Sequence, residues 1–198
     1  MIAPMKTLIA HRLADSNRVK EAFVRESEEN MLRLAGWIQE TFEQNGKLFI
    51  FGNGGSAADA QHMAAEFVNR FLINRKPLPA LALSTDTSVL TSIANDFSYD
   101  LIFSKQIQAL GKPPDLALGI STSGNSRNVI KGIEAAREIG MKTAALTGGL
   151  SCPGGNLAGI CDLVLNVPSE FTPHIQETHL WIEHVLCEIV EAQMFSIP

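Results

Sequence analysis

The chain reads as an α/β protein, a parallel sheet covered by helices on both faces. Three observations lead there. Short apolar runs alternate with helical segments from residue 47 onward. These runs are apolar at nearly every position, as strands buried on both sides require. Two polar turns, Gly52-Asn53-Gly54-Gly55-Ser56 and Ser121-Thr122-Ser123-Gly124-Asn125-Ser126, each follow such a run and open a helix. Open α/β sheets bind ligands at the carboxyl ends of their strands, which is where both turns fall.

Residues from about 4 to 45 form an N-terminal helical segment. Within it Ala22, Phe23, Met31, Leu32, Leu34, Ala35, Ile38 and Phe42 recur at three- and four-residue spacing, and Asn45-Gly46 ends the pattern. This apolar face is broader than one sheet covers, so its surplus predicts packing in an oligomer. Strands are expected at 47–51, 80–84, 116–120, 143–146 and 163–167. Helices are expected at 56–69, 88–95, 103–110, 128–139 and 155–158, with a long last helix over 173–194. No linker, repeat or low-complexity tract interrupts the chain. Residues 1–198 therefore read as one domain, a helical segment over 1–45 and an α/β core with its C-terminal helix over 46–198.

Composition narrows the class. An apolar share of 45% and a charged share of 19% are globular values. A net charge of −5 argues against a nucleic-acid partner, which would call for a basic face. Cys152, Cys161 and Cys187 are odd in number and lack metal-site spacing, so they read as reduced thiols. No apolar run has signal-peptide or membrane-spanning length. The expectation is a soluble, cytoplasmic protein with no membrane partner.

The serine turn is the first candidate site. A helix N-terminus offers unpaired N–H groups and the positive end of the helix dipole. Four hydroxyls in six residues add short uncharged donors, a combination suited to the dianionic phosphate of a small metabolite. No Walker lysine follows. The glycine turn lets a backbone approach a ligand closely, but its G-x-G-G-S spacing is not a dinucleotide fingerprint. In the next helix His62 and Glu66 stand one turn apart on one face, among apolar neighbours that predict a buried carboxylate. Such a carboxylate is a structural partner of His62, a metal ligand or a general base.

Three of the five histidines, His174, His179 and His184, lie in the last helix. Gln176 and His184 are eight positions apart and lean toward one side, with His179 off that line. Together with His62 and Glu66 they would supply two imidazoles, a carboxylate and an amide oxygen, a set able to hold Zn²⁺. Asn95-Asp96 either contact sugar hydroxyls or cap a helix, and Thr85-Asp86-Thr87-Ser88 has the same two readings. Arg70 and Arg75 are candidate phosphate or interface charges, although single arginines read more readily as surface residues.

These motifs resemble the sugar isomerase (SIS) domain family, and within it the phosphoheptose isomerase branch. The resemblance covers nearly the whole chain. The serine turn marks the wider family; His62/Glu66 with Gln176/His184 is more specific. The resemblance implies a flavodoxin-like three-layer α/β/α sandwich, a five-stranded parallel sheet and a homotetramer. It assigns one Zn²⁺ per subunit to His62, Glu66, Gln176 and His184. It places phosphate on Ser121, Thr122, Ser123 and Ser126, and other substrate contacts at Asn53, Gly54, Gly55, Glu66, Asn95, Asp96 and Gln176.

The implied reaction converts sedoheptulose 7-phosphate to D-glycero-D-manno-heptose 7-phosphate for bacterial lipopolysaccharide precursors. Glu66 would be the base at carbon and His184 the acid/base at oxygen. The alternative is a non-catalytic sugar-phosphate-binding regulator or DnaA-associating partner on the same fold. That group lacks counterparts of Glu66 and His184, which this chain has.

Overall fold

The computed structural model describes residues 2–195. Helix α1 spans Ile2–Glu43, and no glycine or proline interrupts it between Pro4 and Gly36. The sequence left the number of N-terminal helices open, and the structure makes it one. The polar triplet Asp15-Ser16-Asn17 does not break it, because Ser16 Oγ is used in a tertiary contact, donating to Glu177 Oε2 at 2.6 Å. At about 60 Å the helix outreaches the sheet, whose strands run about 20 Å. Its first turns therefore leave Met5, Leu8, Ile9 and Leu13 exposed.

The rest alternates as expected. Strand β1 (Leu48–Gly52) leads to α2 (Gly55–Val68), and β2 (Ala80–Ala82) to α3 (Thr87–Asp96) and α4 (Ser104–Leu110). Strand β3 (Leu116–Ile120) leads to α5 (Arg127–Ile139), then come β4 (Lys142–Gly148), β5 (Leu163–Val167) and α6 (Thr172–Met194). Two expectations change. The segment near 155–158 is a 3-10 turn over Gly155–Gly159, because successive glycines at positive φ leave no α-helical start. Strand β2 pairs at only three positions, since it lies at the sheet edge with one neighbour.

All five strands are parallel in the order β2-β1-β3-β4-β5. Strand residues alternate between two cores. Leu48, Ile50, Leu118, Ile120, Leu146 and Leu165 pack under α1, α2 and α6, where Phe23 and Trp181 meet edge to face. Phe49, Phe51, Ala117 and Ala145 pack under α4 and α5. The chain reverses direction across the sheet between β1 and β3, which opens a crevice at their carboxyl ends. No helix among the described residues is long and apolar enough to cross a membrane.

Candidate active site

Both polar turns lie in that crevice, side by side because β1 and β3 are paired in register. The serine turn is held by its own residues, by the neighbouring strand β4 and by the Gly155–Gly159 turn. Ser121 N–H donates to Leu146 O at 3.0 Å and Ser121 Oγ to Ser126 Oγ at 3.1 Å. Gly124 has φ +66°, and a Cβ there would sit 2.0 Å from Gly154 O. The Gly155–Gly159 turn closes over it: Leu157 N–H donates to Gly124 O, and Asn156 N–H to Asn125 Oδ1. The first-turn N–H groups of α5 open just beyond Ser126. A cavity of about 230 Å³ adjoins the turn, bordered by Thr122, Ser123, Asn125, Ser151 and Glu170. Glu170 is fixed by the N–H groups of Leu150 and Ser151 and the Ser151 hydroxyl, which hold its carboxyl below the usual range.

The glycine turn is tied to the serine turn by amides. Asn53 and Asn128 exchange two side-chain hydrogen bonds at 2.8 Å, and Tyr99 Oη donates to Asn53 Oδ1 at 3.2 Å. Gly55 leaves the room that Gln176 fills; a Cβ there would lie 2.6 Å from Gln176 Nε2. Gln176 thus meets the start of α2 directly.

His62 and Glu66 from α2 meet His184 from α6. The two Nε2 atoms face each other at 2.8 Å, and Glu66 Oε1 lies 3.6 Å from His62 Nε2. Phe71 stacks against His184, with ring centroids 5.7 Å apart and planes at 23°. Glu66 is not buried as its neighbours predicted: its side chain is 23% exposed and that of His62 38%. The apolar residues of α2, Ala60, Met63, Ala64 and Phe67, take the core side and leave this pair at the rim.

Two imidazole nitrogens that point at each other either share a proton or aim lone pairs at a common cation. With a carboxylate one turn away, the donor chemistry fits Zn²⁺. Among the described residues no three or more His, Cys, Asp or Glu side chains form a group that could hold a metal ion by themselves, so these three would hold one only with a further donor such as an amide oxygen.

Behind this face lie polar groups that the sequence pattern did not reveal. His179 is fully buried, and its Nε2 bonds Thr147 O at 2.9 Å, with burial pushing its pKa down to about 4. Glu183 has no hydrogen-bond partner for either carboxyl oxygen among the described residues. Burial, aided by nearby Asp59, pushes it up to about 9, which keeps it protonated at neutral pH. Burial raises Asp59 as well. Arg75, expected at the surface, is buried and paired with Glu191 at 2.7 Å.

Other expected residues remain apart. Asn95 and Asp96 are exposed at the end of α3, bonded to each other at 2.8 Å. No hydrogen bond among the described residues joins them to the turns or to the imidazole pair. Asp86 is the cap of α3, accepting from Val89 N–H. All three cysteines are free.

Known proteins share this fold and much of this sequence. The SIS domain family matches residues 13–148. A phosphoheptose isomerase of Thermodesulfovibrio yellowstonii is 53% identical over 93% of this chain and 90% of its own. One of Trichlorobacter lovleyi is 47% identical over 98% and 97%. Among solved structures, phosphoheptose isomerase GmhA from Neisseria gonorrhoeae superposes with a TM-score of 0.89 at 41% identity, covering 95% of this chain and 99% of that one. A phosphoheptose isomerase from Francisella tularensis gives 0.90 at 35%, covering 95% and 98%. The chain therefore belongs to the SIS domain family and, within it, to the phosphoheptose isomerases.

Proposed function

We propose that this enzyme interconverts sedoheptulose 7-phosphate and D-glycero-D-manno-heptose 7-phosphate, in the cytoplasm, on the way to bacterial lipopolysaccharide or a related heptose glycan. The observation that carries the reading is the facing pair His62/His184 with Glu66 beside it, on α6 and on the helix α2 that opens from the glycine turn next to the serine turn.

The residues divide the work. Ser121, Thr122, Ser123 and Ser126, with the first N–H groups of α5, bind the phosphate. That remote binding orients the sugar's other end, with Asn53, Gly54, Gly55, Asn95, Asp96 and Gln176 along its hydroxyls. Glu66 removes a proton from C1 of the ketose and returns it to C2 through a cis-enediol. His184 carries the matching proton from O1 to O2, so that the carbonyl ends on C1 and atoms balance. Zn²⁺ held by His62, Glu66, Gln176 and His184 would polarise those two oxygens when bound. The exposed apolar residues near the start of α1, Met5, Leu8, Ile9 and Leu13, support a homotetramer, in which they would find cover.

The test is turnover of sedoheptulose 7-phosphate by metal-analysed protein, before and after chelation. Activity that disappears on chelation and returns with Zn²⁺ is expected. Activity that survives complete metal removal would overturn the zinc assignment while leaving the isomerase. A metal-loaded protein that binds the sugar phosphate without converting it would point instead to the non-catalytic regulator or DnaA-associating reading.

A further inference from the structure

We infer that the buried Arg75–Glu191 pair positions both members of the acid–base couple, the backbone that carries Glu66 and the aromatic wall that holds the His184 ring. Glu191, on α6, is 2% exposed and is surrounded by donors. Its Oε1 accepts from Phe71 N–H at 2.9 Å and Arg75 Nε at 2.7 Å; its Oε2 accepts from Leu72 N–H at 2.8 Å and Ile73 N–H at 3.2 Å. The guanidinium then reaches back to the end of α2. Nη2 donates to Glu66 O and Nη1 to Phe67 O, each at 2.8 Å. These carbonyls belong to the last turn of α2, where helical partners run out.

One ion pair thus performs two tasks. It closes the turn of α2 from which Glu66 projects. It also folds the segment 69–75 against α6, so that Phe71 lies flat on His184. Stability alone does not account for it, because a buried ion pair is on average no more stabilising than apolar side chains of equal volume. What a four-acceptor carboxylate and a forked guanidinium supply is fixed geometry. Acid–base transfer is sensitive to that, since displacements of about 1 Å can cost on the order of 100-fold.

The inference rests on the isomerase reading for its kinetic test but not for its spectroscopic one. Arg75→Lys keeps the charge and loses the fork; Phe71→Ala removes the wall without touching the pair. Each is expected to lower kcat about tenfold. KM, and inhibition by inorganic phosphate, should stay near the wild-type values, because no hydrogen bond among the described residues links this pair to the serine turn. The double variant should be no slower than the worse single one, as for two parts of one device. Glu191→Gln serves if Arg75→Lys does not fold.

The second readout is the proton NMR signal of the His184 imidazole, assigned by its loss in His184→Asn. Removing Phe71 shifts it, and Arg75→Lys should move it in the same direction. A lower melting temperature with unchanged kcat, multiplicative losses in the double variant, or a His184 signal that stays put in Arg75→Lys would each overturn the inference. If the wild-type protein fails to convert sedoheptulose 7-phosphate, the substrate reading falls and the NMR comparison still decides.

Discussion

The two ends of the site are built in opposite ways. The serine turn is a local structure: residues 121–126, one neighbouring strand and the Gly155–Gly159 turn supply almost every bond that shapes it. The reacting end is assembled from a distance. His62 and His184 are 122 residues apart, and their meeting depends on α2 and α6 packing together beside Glu183, whose carboxyl has no hydrogen-bond partner among the described residues. A phosphate presents the same charge and oxygens on any sugar, so a stiff backbone cradle suffices. Proton transfer needs side chains of tuned basicity, and only tertiary packing can bring those together.

The contrast can be broken from the reacting end first. Glu66→Gln keeps the shape and removes the base, so kcat should fall by at least about 100-fold with little change in KM. Near-normal turnover would reassign the base.

Acid should act on the same end through His179. His179 has a folded pKa of about 4 against an ordinary 6.5. Above pH 6.5 both folded and unfolded chains carry it neutral, and its full contribution to stability is present. Below that value the unfolded chain takes up a proton that the folded one refuses until about pH 4. The contribution of His179 should thus decline by roughly 3 kcal/mol across that window, while Glu183, protonated in the folded chain up to about pH 9, contributes the opposite slope above pH 4.5. In His179→Gln, which keeps a donor for Thr147 O, urea unfolding should lose the His179 slope, so that acid favours the folded variant more than it favours the wild type. Parallel slopes would remove His179 from the account.

The phosphate end should respond differently. Gly124→Ala forces a side chain into positive φ and against Gly154 O, at about 2 kcal/mol of strain. KM for the sugar phosphate should rise and the melting temperature drop, while kcat at saturation changes little. The smallest effect is expected for Ser126→Ala, which deletes one hydroxyl. About 1 kcal/mol, read as roughly a fivefold rise in KM, fits the loss of one neutral hydrogen bond. A fall in kcat larger than the rise in KM in either variant would erase the proposed division between the ends.

How much of this was legible in the sequence follows the same line. The strands were readable because apolar runs such as 116–120 are bounded by polar turns, and the serine turn because its bonds are local. His62 and Glu66 were readable at a four-residue spacing. Their partial exposure was not, since it depends on where α6 lies beside α2. Arg75 resembled any surface arginine, and its burial needs Glu191, 116 residues on. Asn128 is a buried helix-start residue whose meaning comes from Asn53, 75 residues earlier. Gln176 could be placed on a helix face, but not against Gly55, because a missing Cβ gives no signal until its neighbour is known.

The packing of the first helix on the last has a consequence for synthesis. A chain leaving the ribosome makes α1 before the sheet and α6, and Phe23, Leu34 and Ile38 are fully covered only once α6 joins the sheet against them. The strands and the serine turn precede α6 in the chain, so on the proposed division of roles the phosphate cradle is synthesised before the acid–base pair can meet. It also carries an oily stripe for most of its translation. A stop codon anywhere in the final 23-residue helix would release that stripe uncovered, and such fragments should be recognised by chaperones and proteases rather than accumulate as poor enzymes.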